Sequence, residues 1–169
     1  MTAKGRCRRF LLTMVLVVGC RDAASPPADL GALGSRVSVD PTSVLAHEYY
    51  SGFGNEALSV ITDSATWADA WTQLYAARQP QPPLPVVDFR TERVLVAALG
   101  QRSTGGYDIQ IDSVVQFKFG IVAYVRMIAP GQTCGTTTAL TQPVSLARVL
   151  PPELAPILFE QQAVVHECP

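Results

Sequence analysis

Val94-Leu95-Val96-Ala97-Ala98-Leu99 is a run of six apolar residues with no polar interruption. A strand with one wet face alternates apolar and polar side chains, so an unbroken run of this length reads as a strand covered on both faces. Something must therefore pack on each side of it. Upstream, Trp67, Ala70, Trp71, Leu74 and Tyr75 recur at i, i+3, i+4, i+7 and i+8, which is one apolar stripe of a helix. Asp63 or Ser64 stands where a helix N-cap belongs. The two tryptophans are read as the cover of an open sheet face rather than as a ligand platform, since buried indoles supply much of the core energy of a small domain. Gln79-Pro80-Gln81-Pro82-Pro83-Leu84-Pro85 ends the helix, because proline lacks an N–H and fixes φ; it is read as an extended surface connector.

Downstream, Tyr107, Ile109 and Ile111 alternate with Asp108, Gln110 and Asp112, the pattern of a strand wet on one side. Ile121–Ala129, Val144–Val149 and Ile157–His166 read as further strands, with a turn around residues 116–120 and a Pro151-Pro152 corner. Ala46–Ser51 and Ala57–Ile61 read as two more, joined by a Gly52-Phe53-Gly54-Asn55 hairpin turn. One helix with about seven strands and short loops predicts an α+β fold dominated by antiparallel sheet, a sandwich or half-barrel with the helix packed on it.

At the N-terminus, Lys4, Arg6, Arg8 and Arg9 precede the apolar run Phe10–Val18, and Gly19-Cys20 follow. This order reads as an export signal too short to span a bilayer. The small residue directly before a cysteine resembles the lipobox of bacterial lipoproteins. That resemblance implies cleavage before Cys20, diacylation of its thiol, and a protein tied to a membrane by lipid and facing away from the cytoplasm. Arg21 in place of aspartate favours the outer membrane in a Gram-negative envelope. Residues 1–19 are then the signal, residues 20–36 a flexible tether of small and Pro/Gly-containing sequence, and residues 37–169 a single globular domain.

Without the signal the chain holds nine basic residues against 14 acidic, a balance of −5. Nucleic acid calls for a basic patch and is not an expected partner. Anionic lipid is not attracted either, so membrane contact is expected through the anchor alone. Cys7 leaves with the signal and Cys20 is lipidated, so Cys134 and Cys168 remain. A cysteine pair in an oxidising compartment predicts a disulfide. It would close a loop of about 34 residues and contribute roughly 3–4 kcal/mol by the chain-entropy relation.

The catalytic inventory is thin. His47 and His166 are the only histidines, and no H-E-x-x-H, G-x-S-x-G, Walker loop or paired C-x-x-C is present. A Cys134–His166 thiolate pair, or a zinc site from His47, Cys134, His166 and Cys168, would need cysteines that the disulfide takes. Asp108 and Asp112 on one strand face would be about 13 Å apart by strand rise, too far for paired-carboxylate glycoside hydrolysis, and are read as solvating the sheet. No enzyme, metal or cofactor is expected. The loop Gly100-Gln101-Arg102-Ser103-Thr104-Gly105-Gly106-Tyr107 is the segment of unusual content. It combines a planar donor fork in Arg102, a hydroxyl in Thr104, an approachable backbone at Gly105 and Gly106, and an amphipathic anchor in Tyr107. Two readings stand. It is a binding tip, in which case valine at both glycines should abolish partner capture with the fold intact, or it is a hairpin with Tyr107 facing inward.

Trp67-x-x-x-Trp71, the proline segment, Val87-Asp88-Phe89, Val94–Leu99, Arg102-Ser-Thr-Gly-Gly-Tyr107, Pro130-Gly131-x-x-Cys134 and Thr141-Gln142-Pro143 occur in an order that resembles the PrcB C-terminal domain family, over roughly residues 57 to 150. Ser103 stands where that family usually has proline, which leaves the loop less rigid. The resemblance implies a lipid-anchored accessory module that binds an exported protein, a protease above all. The Thr-Gly-Gly-Tyr loop is also similar in character to the Thr-Thr-Gly loop of chagasin-type cysteine-protease inhibitors, which would make the chain an inhibitor. A third alternative is a hydrolase built on the histidines and cysteines.

Overall fold

The computed structural model describes residues 35–37, 43–117, 120–151 and 155–169. The expected signal, Cys20 and the expected tether up to residue 34 lie outside the described residues. Eight strands and one helix follow in the order β1 (Ser35–Val37), β2 (Val44–Glu48), β3 (Glu56–Ile61), α1 (Ser64–Leu74), β4 (Arg93–Leu99), β5 (Asp108–Phe117), β6 (Gly120–Pro130), β7 (Val144–Val149) and β8 (Ile157–His166). The fold is α+β with mostly antiparallel sheet, as the sequence predicts. The additional strand is the three-residue β1, which takes in Ser35 and Arg36 at the end of the expected tether.

The strands form two four-stranded sheets, ordered β2-β7-β4-β3 and β1-β5-β6-β8. The first is the middle of three layers. Val94, Val96 and Ala98 of β4, with Val144 and Leu146 of β7, face the helix and join Trp67, Trp71, Leu74 and Tyr75 in one core. Leu95, Ala97 and Leu99, with Ala147 and Val149, face the second sheet and join Ile109, Ile111, Val114, Ile121, Ala123 and Val125 in the other. Alternate residues of one strand thus serve two cores, which is why Val94–Leu99 of β4 carries no polar position.

Asp63 caps α1, accepting from the Thr66 N–H at 2.9 Å and the Thr66 hydroxyl at 2.8 Å, and this hydrogen bonding lowers its pKa. Trp67 and Trp71 meet edge-on at 5.2 Å between ring centroids. Each indole N–H donates to the proline segment, Trp67 to Pro85 O at 3.0 Å and Trp71 to Pro82 O at 2.9 Å. The connector is therefore a strap that satisfies both buried indoles. Val87 and Phe89 pack against the helix-side core. Asp88 between them closes a turn with its carbonyl and holds Arg90 through both carboxylate oxygens.

Three expectations are corrected. Gly52–Asn55 is not a hairpin turn, since β2 and β3 are the opposite edges of their sheet. Gly100–Tyr107 is not one either, since β4 and β5 belong to different sheets. Both segments are crossovers. Asp108 and Asp112 do more than solvate the sheet. Asp108 bonds His47 Nε2 at 2.6 Å and Gln110 Nε2 at 2.7 Å, and Arg126 bonds both Gln110 and Asp112. A polar chain thus runs from the edge strand β2 of one sheet along β5 of the other. Finally, β8 runs parallel to β6 from Ile121↔Ile157 to Pro130↔His166. Among the described residues, no helix is long and apolar enough to cross a membrane.

Candidate functional site

The crossovers gather at one end of the layers. Segments 49–55, 100–107 and 131–143 lie there with the C-terminus, because β2, β4, β6 and β8 all finish where β3, β5 and β7 begin. Pro130 and His166 end the parallel pair side by side, and the Gly131 N–H donates to His166 O at 2.8 Å. Cys134 and Cys168 form the expected disulfide across this point, and the Thr133 hydroxyl donates to Cys168 O. With both sulfurs joined, the thiolate pair and the cysteine-containing zinc site are set aside. Among the described residues no group of three His, Cys, Asp or Glu side chains is placed to hold a metal.

The loop residues singled out from the sequence are brought together, but in a structural arrangement. Arg102 and Thr141 exchange backbone hydrogen bonds at 2.8 and 3.0 Å as an isolated bridge. Buried Thr141 donates its hydroxyl to Thr104 O at 2.9 Å. The Gly105 N–H donates to Thr137 O at 3.0 Å. The Arg102 guanidinium is paired with Glu56 at the start of β3 and stands 5.7 Å from the Tyr107 ring centroid. Tyr107 is half-buried against the core between the sheets, the inward orientation of the second reading. The exposed positions of the tip are Gln101, Ser103 and Gly106.

The expectation that valine at Gly105 and Gly106 leaves the fold intact is corrected. Gly106 has φ +87°, and a Cβ there would meet the Pro130 ring at 3.0 Å. A Cβ on Gly105 would stand 2.5 Å from Thr137 Oγ1. Both glycines let the two crossovers touch. Gly106→Val should lower stability by about 1–3 kcal/mol, since a β-branched residue is strained at positive φ. Gly105→Ala should cost less, because the Thr137 hydroxyl can rotate away. Urea melts of the two variants check this order.

Sequence reading missed what surrounds the loop. Tyr49, Tyr50 and Leu140 are exposed large side chains on the same end, Tyr50 at 64 %. They are tied together through the backbone: the Gln142 N–H donates to Tyr49 O, and the Ser51 hydroxyl donates to Gln142 O. Beside them a cavity of about 390 Å³ is lined by Glu48, Tyr50, Tyr75, Arg78 and Gln142 among others. The Tyr75 hydroxyl donates to Glu48 at 3.1 Å. Burial, and then the Glu48 charge, raise its pKa, opposed by Arg78. On the other flank, Arg102 and Tyr107 border an apolar groove of about 380 Å³ with Leu99, Met127, Ala163 and Val165. The adjacent Tyr49-Tyr50 pair and the exposed Leu140 were the available signal, lost because single apolar residues in loops are ordinary.

The PrcB C-terminal family model matches residues 93–149. The match covers about a third of the chain. It runs from the first residue of β4 to the last of β7, so it holds both crossovers that meet at Arg102 and Thr141. The resemblance read from the sequence is borne out over residues 93–149, while the tryptophan helix and Val87-Asp88-Phe89 precede the matched residues. No curated protein and no solved structure matches the chain.

Proposed function

We propose that this chain is a non-catalytic docking module of the bacterial envelope. It is held to the membrane by lipid on Cys20, on the side away from the cytoplasm, and assembles with an exported protease through its crossover end. The observation that carries the reading is the PrcB C-terminal match, which spans both crossovers. Three further features support it. The mature chain carries excess negative charge. The exposed Tyr49, Tyr50 and Leu140 lie at the same end as the loop tip, and tyrosine is enriched where proteins meet. The loop is fixed by the Arg102–Thr141 bridge, so a partner would meet a preformed surface with little ordering cost.

The test is a photo-crosslinking residue at Ser103, an exposed tip position, in the full chain within intact cells. An exported protease should be recovered, and Tyr50→Asp with Leu140→Asp should cut its yield about tenfold or more, the loss of one or two interface anchors. Recovery of no protease, or an undiminished yield from the double variant, would overturn the assignment. Fatty-acid labelling of the same cells should mark the wild-type chain and not Cys20→Ser.

A further inference from the structure

Strand β8 is an open edge ten residues long. Among the described residues its one strand neighbour is β6. Natural edge strands are usually blunted by shortness, bulges, proline or lysine. The other edge of its sheet, β1, is three residues long, and the edge strand β2 carries a register shift between Val44 and Ala46. β8 has none of these devices. It pairs with β6 without a shift, contains no proline or lysine, and has one formal charge, Glu160. Leu158 and Val165 near its two ends are 64 % and 58 % exposed.

The order of side chains says what covers this edge. Ile157-Leu158-Phe159 is apolar, Glu160-Gln161-Gln162 polar, and Ala163-Val164-Val165 apolar again. Such a sequence is complementary to itself when reversed. We infer that β8 pairs antiparallel with β8 of a second copy of this chain, about a two-fold axis at Gln161. An axis normal to the sheet keeps each face on its own side. The register then sets Ile157 against Val165, Leu158 against Val164, and Phe159 against Ala163, a large side chain opposite a smaller one in each pair. Glu160 meets Gln162, so the single charge never faces its own copy. Ile157 and Phe159 of the second copy lie beside Val165 and Ala163, where the apolar groove next to Tyr107 opens. The two four-stranded sheets become one continuous sheet, and the unpaired backbone groups of both edges are satisfied.

The inference is independent of protease docking and is tested without a protease. The full chain is sedimented in detergent over a range of concentrations. The wild type should show a concentration-dependent dimer. Gln161→Lys places two lysines face to face on the axis and should weaken it about tenfold. Gln162→Lys places a lysine opposite Glu160 twice and should tighten it about two- to thirtyfold, the range expected for two cross-strand ion pairs. Gln161 and Gln162 are exposed, so neither change disturbs the monomer, which circular dichroism melts of both variants verify. A wild type that stays monomeric, a dimer indifferent to both lysines, or one weakened by Gln162→Lys overturns the inference.

Discussion

Replacing Trp67 with alanine is expected to lower the stability of the fold by about 3–5 kcal/mol, the range for truncating a buried aromatic. Trp67 is 2 % exposed and sits between α1 and the middle sheet. Truncation would open a cavity against Trp71 and leave Pro85 O without its indole donor. The surrounding layer cannot collapse to fill the space, because the strap over it is anchored a second time through Trp71 and Pro82. A domain of this size has about 5–15 kcal/mol in total, so the variant should sit near the limit of folding. Urea melts should show a lower midpoint. Trp67→Phe, which keeps most of the ring, should recover more than half of the loss. Equal losses for alanine and phenylalanine would mean that the indole hydrogen bond, not the packing, dominates.

Cys168→Ser should cost about 3–4 kcal/mol, from the loop of 34 residues that the bond closes. For one domain of this length that corresponds to a melting point lower by roughly 10–20 °C. The damage should begin locally. The bond holds the loop after β6 to the C-terminus, where Gly131, Thr133 and His166 make their contacts. The same loop continues to Thr137 and Thr141, the partners of the Gly105 and Arg102 backbone. Hydrogen exchange should therefore quicken first at Gly105 and Gly131, with the β4 amides still protected. Uniform quickening across the molecule would mean that the bond acts on the unfolded chain alone.

Much of the fold is legible in the sequence, and what is legible is local. The unbroken Val94–Leu99 run gives the doubly covered strand, because two-sided burial leaves its mark on every residue. The spacing from Trp67 to Tyr75 gives the helix and its buried face. Setting Cys7 and Cys20 aside as parts of an expected signal and lipid site leaves Cys134 and Cys168, the pair that the structure joins. The connections are not legible. Glycines at residues 52–54 and 105–106 report that the backbone must bend or come close to something, and a hairpin and a sheet-to-sheet crossover use them alike. The pairing of Arg102 with Glu56 spans 46 residues, a separation that no spacing rule reaches. The site suffers for the same reason. Arg102, Thr104, Gly105, Gly106 and Tyr107 were singled out for their chemistry, and that chemistry is spent largely on joining two crossovers. The exposed side chains beside them come from segments 49–50 and 140, distant in sequence.

The strand order β2-β7-β4-β3 sets how the molecule must assemble. Val44 lies beside Ala147, about a hundred residues away, and β4 at the centre waits for β7 on one side. A chain emerging from its N-terminus can fold α1 and pair β3 with β4 early, but the middle layer stays open until residue 149 arrives. Long-range pairing of this kind is slow, because the loop entropy is lost before the contacts form. The half-built sheet meanwhile presents the Val94–Leu99 strand unprotected, which makes the interval between synthesis and closure the most vulnerable stage in the life of this protein.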